Sequence, residues 1–161
     1  MGTKPKPSPT SVSETTISAI DSCLVGTWRS ESVALLGREE GGAGIVLTIK
    51  GDGTESVDYN QMKPLKGGAG EIRWSNSLAG TATGRLTASK GTAAVTSVDQ
   101  SDVTHKYIDP DGKATTNSLG RSLGYGAVGD DPKGGYACDE NTLTFKSRVH
   151  TLKFKREKKE P

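Results

Sequence analysis

At Cys23-Leu-Val-Gly-Thr-Trp28 the chain changes character, and the pattern beyond Trp28 confines it to β-structure. Before this stretch lies a polar tail; after it, residues of opposite character alternate singly between short turns. Gly26, Trp28, Ser30, Ser32 and Ala34 fall on one side, and Thr27, Arg29, Glu31 and Val33 on the other. Arg29 and Glu31 favour water, so Trp28 is expected to point inward. The pattern recurs. Ile45, Leu47 and Ile49 alternate with Val46, Thr48 and Lys50, and Asp52-Gly53 supplies a strong hairpin signal before Thr54 to Tyr59, with Val57 and Tyr59 continuing the inward face. Further strands are expected at Glu71 to Ser75, Thr81 to Ser89, Ala93 to Asp99, Asp102 to Ile108, Tyr136 to Cys138, Thr142 to Lys146 and Val149 to Lys155. Met62 to Gly70 reads as a loop, and 113–135 as a long, polar, glycine-rich excursion. No segment is strongly helical.

A Gly26-x-Trp28 at the first strand of a small all-β chain resembles the signature of the lipocalins and the wider calycin superfamily. The longer phrase, Cys23-Leu-Val-Gly-Thr-Trp28 with Tyr136-Ala-Cys138 about a hundred residues later, is similar to lipocalin-like exported proteins of high-GC Gram-positive bacteria. The resemblance implies an antiparallel up-and-down β-barrel of 8–10 strands whose closed end is plugged by Trp28. It also implies a basic side chain stacked over that indole, for which Arg148 and Arg156 are candidates and Arg148 is nearer the start of the last strand. Gly26, Trp28 and Arg148 are thus expected to be structural. Lipocalins carry a Thr-Asp-Tyr motif that is absent here.

The length, 161 residues, suits one such domain. We divide it into a Ser/Thr/Pro-rich tether (1–21), a barrel (22–156) and a charged tail (157–161). Ile17 and Ile20 are placed as a cap over the closed end. Hydrophobic residues make up only 32%, so the core must be modest. Cys23 and Cys138 sit near the ends of the folded region. Paired, they would close a loop whose chain-entropy stabilisation is about 4.7 kcal/mol; unpaired, they would be buried thiols. The paired state suits an oxidising compartment, and with the tether it points to a protein secreted or anchored outside the cytoplasm. Met1-Gly2 reads as an added start with no signal segment behind it.

Several functions are disfavoured. With 21 basic against 19 acidic residues, a net charge of +2 gives no general field for nucleic acid. No apolar run approaches the roughly 18 residues of a membrane-spanning helix. Gly120-Arg-Ser122-Leu-Gly124 matches the nucleophile-elbow pattern, but its flanks read as neither the required strand nor the helix. Gly124-Tyr-Gly126-Ala-Val-Gly129 runs into Asp130-Asp131-Pro132, where a dinucleotide site needs a helix N-terminus. Asp109 and Asp111 lack the further ligands of a calcium loop. His105 and His150 could both enter the barrel, as one histidine does in the haem-binding nitrobindins, but Ser30 and Ser32 stand where that family has glycines. No cofactor, metal or catalytic residue is assigned, and a monomer is expected.

The expected function is non-covalent binding of a small apolar or amphipathic ligand inside the barrel. Leu47, Tyr59, Trp74, Leu86, His105 and Tyr107 are the candidate lining. The alternative is an exported interaction module on a filled barrel, such as a sensor domain or an inhibitor of secreted proteases. In bacterial inhibitors of that build the N-terminal tail enters the target, so residues 3–22 discriminate the two.

Overall fold

The period-two segments become strands, and their pairing leaves the main sheet without an edge. The computed structural model describes residues 20–35, 41–118, 134–147 and 150–158. A single 3-10 turn, Ser22–Leu24, leads into β1 (Gly26–Leu35), followed by β2 (Val46–Ile49) and β3 (Thr54–Asp58). Next come β4 (Leu65–Ala69), β5 (Ile72–Ala79), β6 (Thr81–Ser89), β7 (Thr92–Asp99), β8 (Thr104–Ile108) and β9 (Ala114–Ser118). The last three are β10 (Gly134–Cys138), β11 (Thr142–Lys146) and β12 (His150–Arg156).

Eight strands close an antiparallel barrel in the order β1-β12-β11-β10-β7-β6-β3-β2. Read around the ring, this is chain order with two hairpins set aside, so the topology is up-and-down. The two excluded hairpins, β4–β5 and β8–β9, pair with each other as a second sheet, β4-β5-β8-β9. The expected 8–10 strands are therefore eight in the barrel and four beside it. Two stretches read as loop contain strands. β4 falls within Met62 to Gly70 and β9 within 113–135. Neither alternates in hydrophobicity: Leu65-Lys-Gly-Gly-Ala69 and Ala114-Thr-Thr-Asn-Ser118 are strands through their pairing with β5 and β8.

The first strand departs from simple alternation. Trp28 and Ser30 point inward, but the register with β12 shifts between Ser30 and Ser32, and beyond that bulge Val33 is buried while Ser32 and Ala34 are only half-buried. One extra residue turns the strand over, so the inward face expected through Ser32 and Ala34 passes to Val33. Ser30, the residue before the bulge, fastens the returning chain: its hydroxyl donates to the Gly42 carbonyl at 2.6 Å and accepts from the Ile45 amide at 2.8 Å.

The barrel core is formed by Trp28, Val33, Ile45, Leu47, Ile49, Val57, Tyr59, Ala82, Leu86, Leu143, Phe145 and Phe154, all buried, with Ile20 and Leu24 also in the buried cluster. Phe145 meets Phe154 edge to face at 6.2 Å. Cys23 and Cys138 form a disulfide across 115 residues of sequence, with Cα atoms 5.8 Å apart. Among the described residues no helix is long and apolar enough to cross a membrane, which says nothing of strands. The two glycine-rich motifs, the tether before Ile20 and Arg148 lie outside the described residues.

Candidate recognition surface

Trp28 is enclosed at the start of β1. It has no exposed surface, and its indole N–H donates to the Leu24 carbonyl at 2.9 Å. The cation over its ring is Arg156, 4.1 Å from the ring centre. This corrects the preference for Arg148: β12 runs to Arg156, so the closing cation belongs to the end of the last strand, opposite Trp28 in the β1–β12 register. The guanidinium donates to the carbonyls of Val25 (2.8 Å), Cys23 (2.9 Å) and Glu140 (2.6 Å). Gly26 makes room for it: with φ at +142°, a Cβ there would stand 2.3 Å from Arg156 Nη1. The Gly-x-Trp spacing is thus a packing device.

The six candidate lining residues do not gather in one place. Leu47, Tyr59 and Leu86 lie inside the barrel, each with 2% or less of its surface exposed. A chamber wide enough for water would leave accessible surface on its lining, so these three are packed core in this structure. Trp74, His105 and Tyr107 lie on the second sheet, on β5 and β8. Those three do come together. Register places Leu65 and Gly67 of β4, Ile72, Trp74, Asn76 and Leu78 of β5, and His105 and Tyr107 of β8 on one face.

That face is graded. Near the barrel, Leu65 and Leu78 are buried. A small cleft of about 10 Å³, room for roughly one water, opens between them, lined also by Met62, Asn76, Ser77 and His105. His105 Nε2 and Asn76 Oδ1 are hydrogen-bonded at 2.7 Å, and burial pushes the imidazole below its ordinary pKa, favouring the neutral ring. Farther out, Trp74 and Tyr107 are half-buried with ring centres 6.4 Å apart. At the tip Ile72 is 64% exposed. Trp74 lies flat on the backbone because its cross-strand partner is Gly67, where a Cβ would come within 2.2 Å of the indole. The opposite face carries Lys66, Arg73 and Lys106, all exposed, with the half-buried Ile108 among serines, threonines and small residues.

Sequence reasoning passed over Glu55. It lies on β3 with Val57 on the inward side, has no exposed surface, and neither carboxylate oxygen has a hydrogen-bond partner among the described residues. Burial raises its pKa to about 8. The signal was its parity with Val57 and Tyr59. Gln100 Oε1 is a third buried oxygen without a partner among them.

Among the described residues no three His, Cys, Asp or Glu side chains are placed to hold a metal ion together. His150 pairs through its backbone with Leu35, and its side chain lies outside the described set. Compared with family models, curated proteins and solved structures, the chain finds no match.

Proposed function

We propose that the protein is an extracytoplasmic interaction module of calycin-like build, its barrel a filled scaffold and its second sheet the surface that grips a protein partner. The observation that carries this reading is the division of the aromatic and apolar residues. Those inside the barrel are packed to 2% exposure or less at Leu47, Tyr59 and Leu86, while Trp74, Tyr107 and Ile72 form a graded patch on a sheet outside it. A half-buried Trp beside a Tyr, with an exposed aliphatic at the rim, is the composition of an interface centre. The reverse of the same sheet bears Lys66, Arg73 and Lys106, so the apolar face is the one that fits an apolar patch on the partner. The disulfide supports the extracytoplasmic part of the proposal.

The test is site-specific photo-crosslinking on the surface of the native host, with a photoreactive residue at Ile72 or, as a control on the barrel wall, at Thr83. One defined protein captured from position 72 and not from 83, and lost with Trp74→Ala, is the expected result. Native mass spectrometry showing a small molecule held inside the barrel would favour the ligand-carrier reading instead. Capture that disappears on deleting residues 1–19, with Trp74→Ala neutral, would move the interface to the tail.

A further inference from the structure

A carboxylic acid sealed in an apolar barrel without a donor is an unstable arrangement unless its proton stays on. Alternation along β3 sends Thr54, Ser56 and Asp58 outward and Glu55 and Val57 inward, so Glu55 cannot reach water by a change of rotamer alone. Its neighbours across the sheet are Ile49 on β2 and Gly84 on β6. Gly84 has no side chain, and the space above it is taken from β7: Val95 Cγ1 and Val98 Cγ2 stand 2.8 and 3.7 Å from where a Cβ would be. Leu47, Val57, Ala82 and Leu86 line the adjoining inner wall. The charged groups on the elements packed against β3 are Lys50, Asp52 and Asp58 on the β2–β3 side and Arg85 on β6; none of these is buried, and Arg85 is directed to the Asp52 carbonyl at 3.5 Å. Asp99, the charged residue of β7, is exposed and pairs with Thr83.

The cover over Glu55 is also where the ladder is irregular. The far half of β7, which supplies Val95 and Val98, carries a register shift opposite Thr83 to Arg85, and Ser97 there has a left-handed φ of +55°. We propose that Glu55 is a proton-controlled latch: with its proton on, it is sealed behind β7, and on losing the proton it draws water in by lifting the far half of β7 from the barrel wall. The raised pKa supports this by putting the transition in mildly alkaline solution rather than in acid. The opened form would expose Val95 and Val98 and give the otherwise filled barrel a pH-dependent entrance.

The experiment follows the full chain from pH 5 to 9.5. The Glu55 side-chain carboxyl carbon is read by NMR in protein labelled at glutamate, and backbone amide exchange is corrected for its intrinsic pH dependence. Expected are a Glu55 titration above pH 7 and exchange at Val95 to Asp99 at least tenfold faster at pH 9 than at pH 6. β11 and β12 should be unchanged, and the acceleration should be absent in Glu55→Gln. A Glu55 carboxyl titrating near pH 4.5, equal acceleration in the Gln variant, or acceleration of β11 and β12 to the same degree would each overturn the latch. The carbon titration needs only the unaltered protein, so the idea stays testable if Glu55→Gln folds poorly.

Discussion

The guanidinium of Arg156 lies 4.1 Å from the centre of the Trp28 ring, and three carbonyls, of Cys23, Val25 and Glu140, hold it there. One cation thereby joins the 3-10 turn, the start of β1 and the β10–β11 turn, so the first and last strands are closed by a side chain as well as by their ladder. Arg156→Lys keeps the charge but has no planar fork with which to reach the three carbonyls. Arg156→Ala removes both the hydrogen bonds and the stacking, and should cost on the order of 3 kcal/mol in urea unfolding, with Arg156→Lys recovering less than half.

Gly26→Ala tests the same corner from the other side. Its Cβ would stand 2.3 Å from Arg156 Nη1 and would occupy a φ of +142°. We expect about 2 kcal/mol of destabilisation, and less than additive loss in the double variant Gly26→Ala/Arg156→Ala, because removing the guanidinium removes the clash and leaves only the backbone strain. Full additivity in a double-mutant cycle would contradict the packing account of the Gly-x-Trp spacing.

The Cys23–Cys138 disulfide ties the turn that caps the barrel to the end of β10, closing a loop of 115 residues. Chain-entropy reasoning assigns such a loop nearly 5 kcal/mol at most. Cys23→Ser/Cys138→Ser should therefore lower stability by about 3 to 5 kcal/mol while leaving the β1–β12 ladder intact. Reduction of the native protein should give the same denaturation midpoint as the double variant; a difference between the two would mean that the serines perturb packing themselves.

Much of the barrel was legible because its inner face obeys a two-residue rhythm: Leu47 and Ile49, Val57 and Tyr59, Ala82 and Leu86 all point where alternation puts them. The same rhythm failed at Ser30 to Ser32, since a bulge depends on how β12 lies alongside and not on the residues of β1. It also could not reveal that β4–β5 and β8–β9 leave the ring. Strands inside a closed barrel and strands beside it alternate alike, and only pairing between hairpins distant in sequence separates them. Hence Trp74, His105 and Tyr107 read as lining together with Leu47, although the two groups belong to different sheets.

His105 gives a pH dependence of definite sign. Burial lowers its folded-state pKa below the ordinary 6.5, so the folded protein takes up the proton less readily than the unfolded chain. Its contribution to stability is present above the unfolded value and is lost as pH falls from there through the folded one. Glu55 acts oppositely: with a folded pKa of about 8 against an ordinary 4.5, its protonated form favours folding at low pH, and that contribution is lost between the two values as pH rises. Comparing the protein with His105→Gln isolates the histidine. The unfolding free energy of the native protein should fall relative to the variant between pH 7 and 5, and the two should run parallel above pH 7.5. Asp52, Asp99 and Asp139, whose main-chain hydrogen bonds lower their pKa values, act below that window and cancel in the comparison.

The flat seat of Trp74 on Gly67 makes the proposed recognition surface testable apart from the fold. A methyl at position 67 would meet the indole at 2.2 to 2.8 Å, yet the indole is the outer, half-buried end of its side chain and can swing away. Gly67→Ala should therefore cost only about 1 kcal/mol while displacing the ring from Tyr107, now 6.4 Å away centre to centre. Trp28 is fully buried, so the solvent-sensitive part of the tryptophan emission reports Trp74. We expect Gly67→Ala to shift that emission to longer wavelength and to weaken partner capture at least tenfold, as Trp74→Ala does, with the denaturation midpoint nearly unchanged. Emission shifted with capture intact would separate the indole from recognition and leave Ile72 and Tyr107 to account for binding.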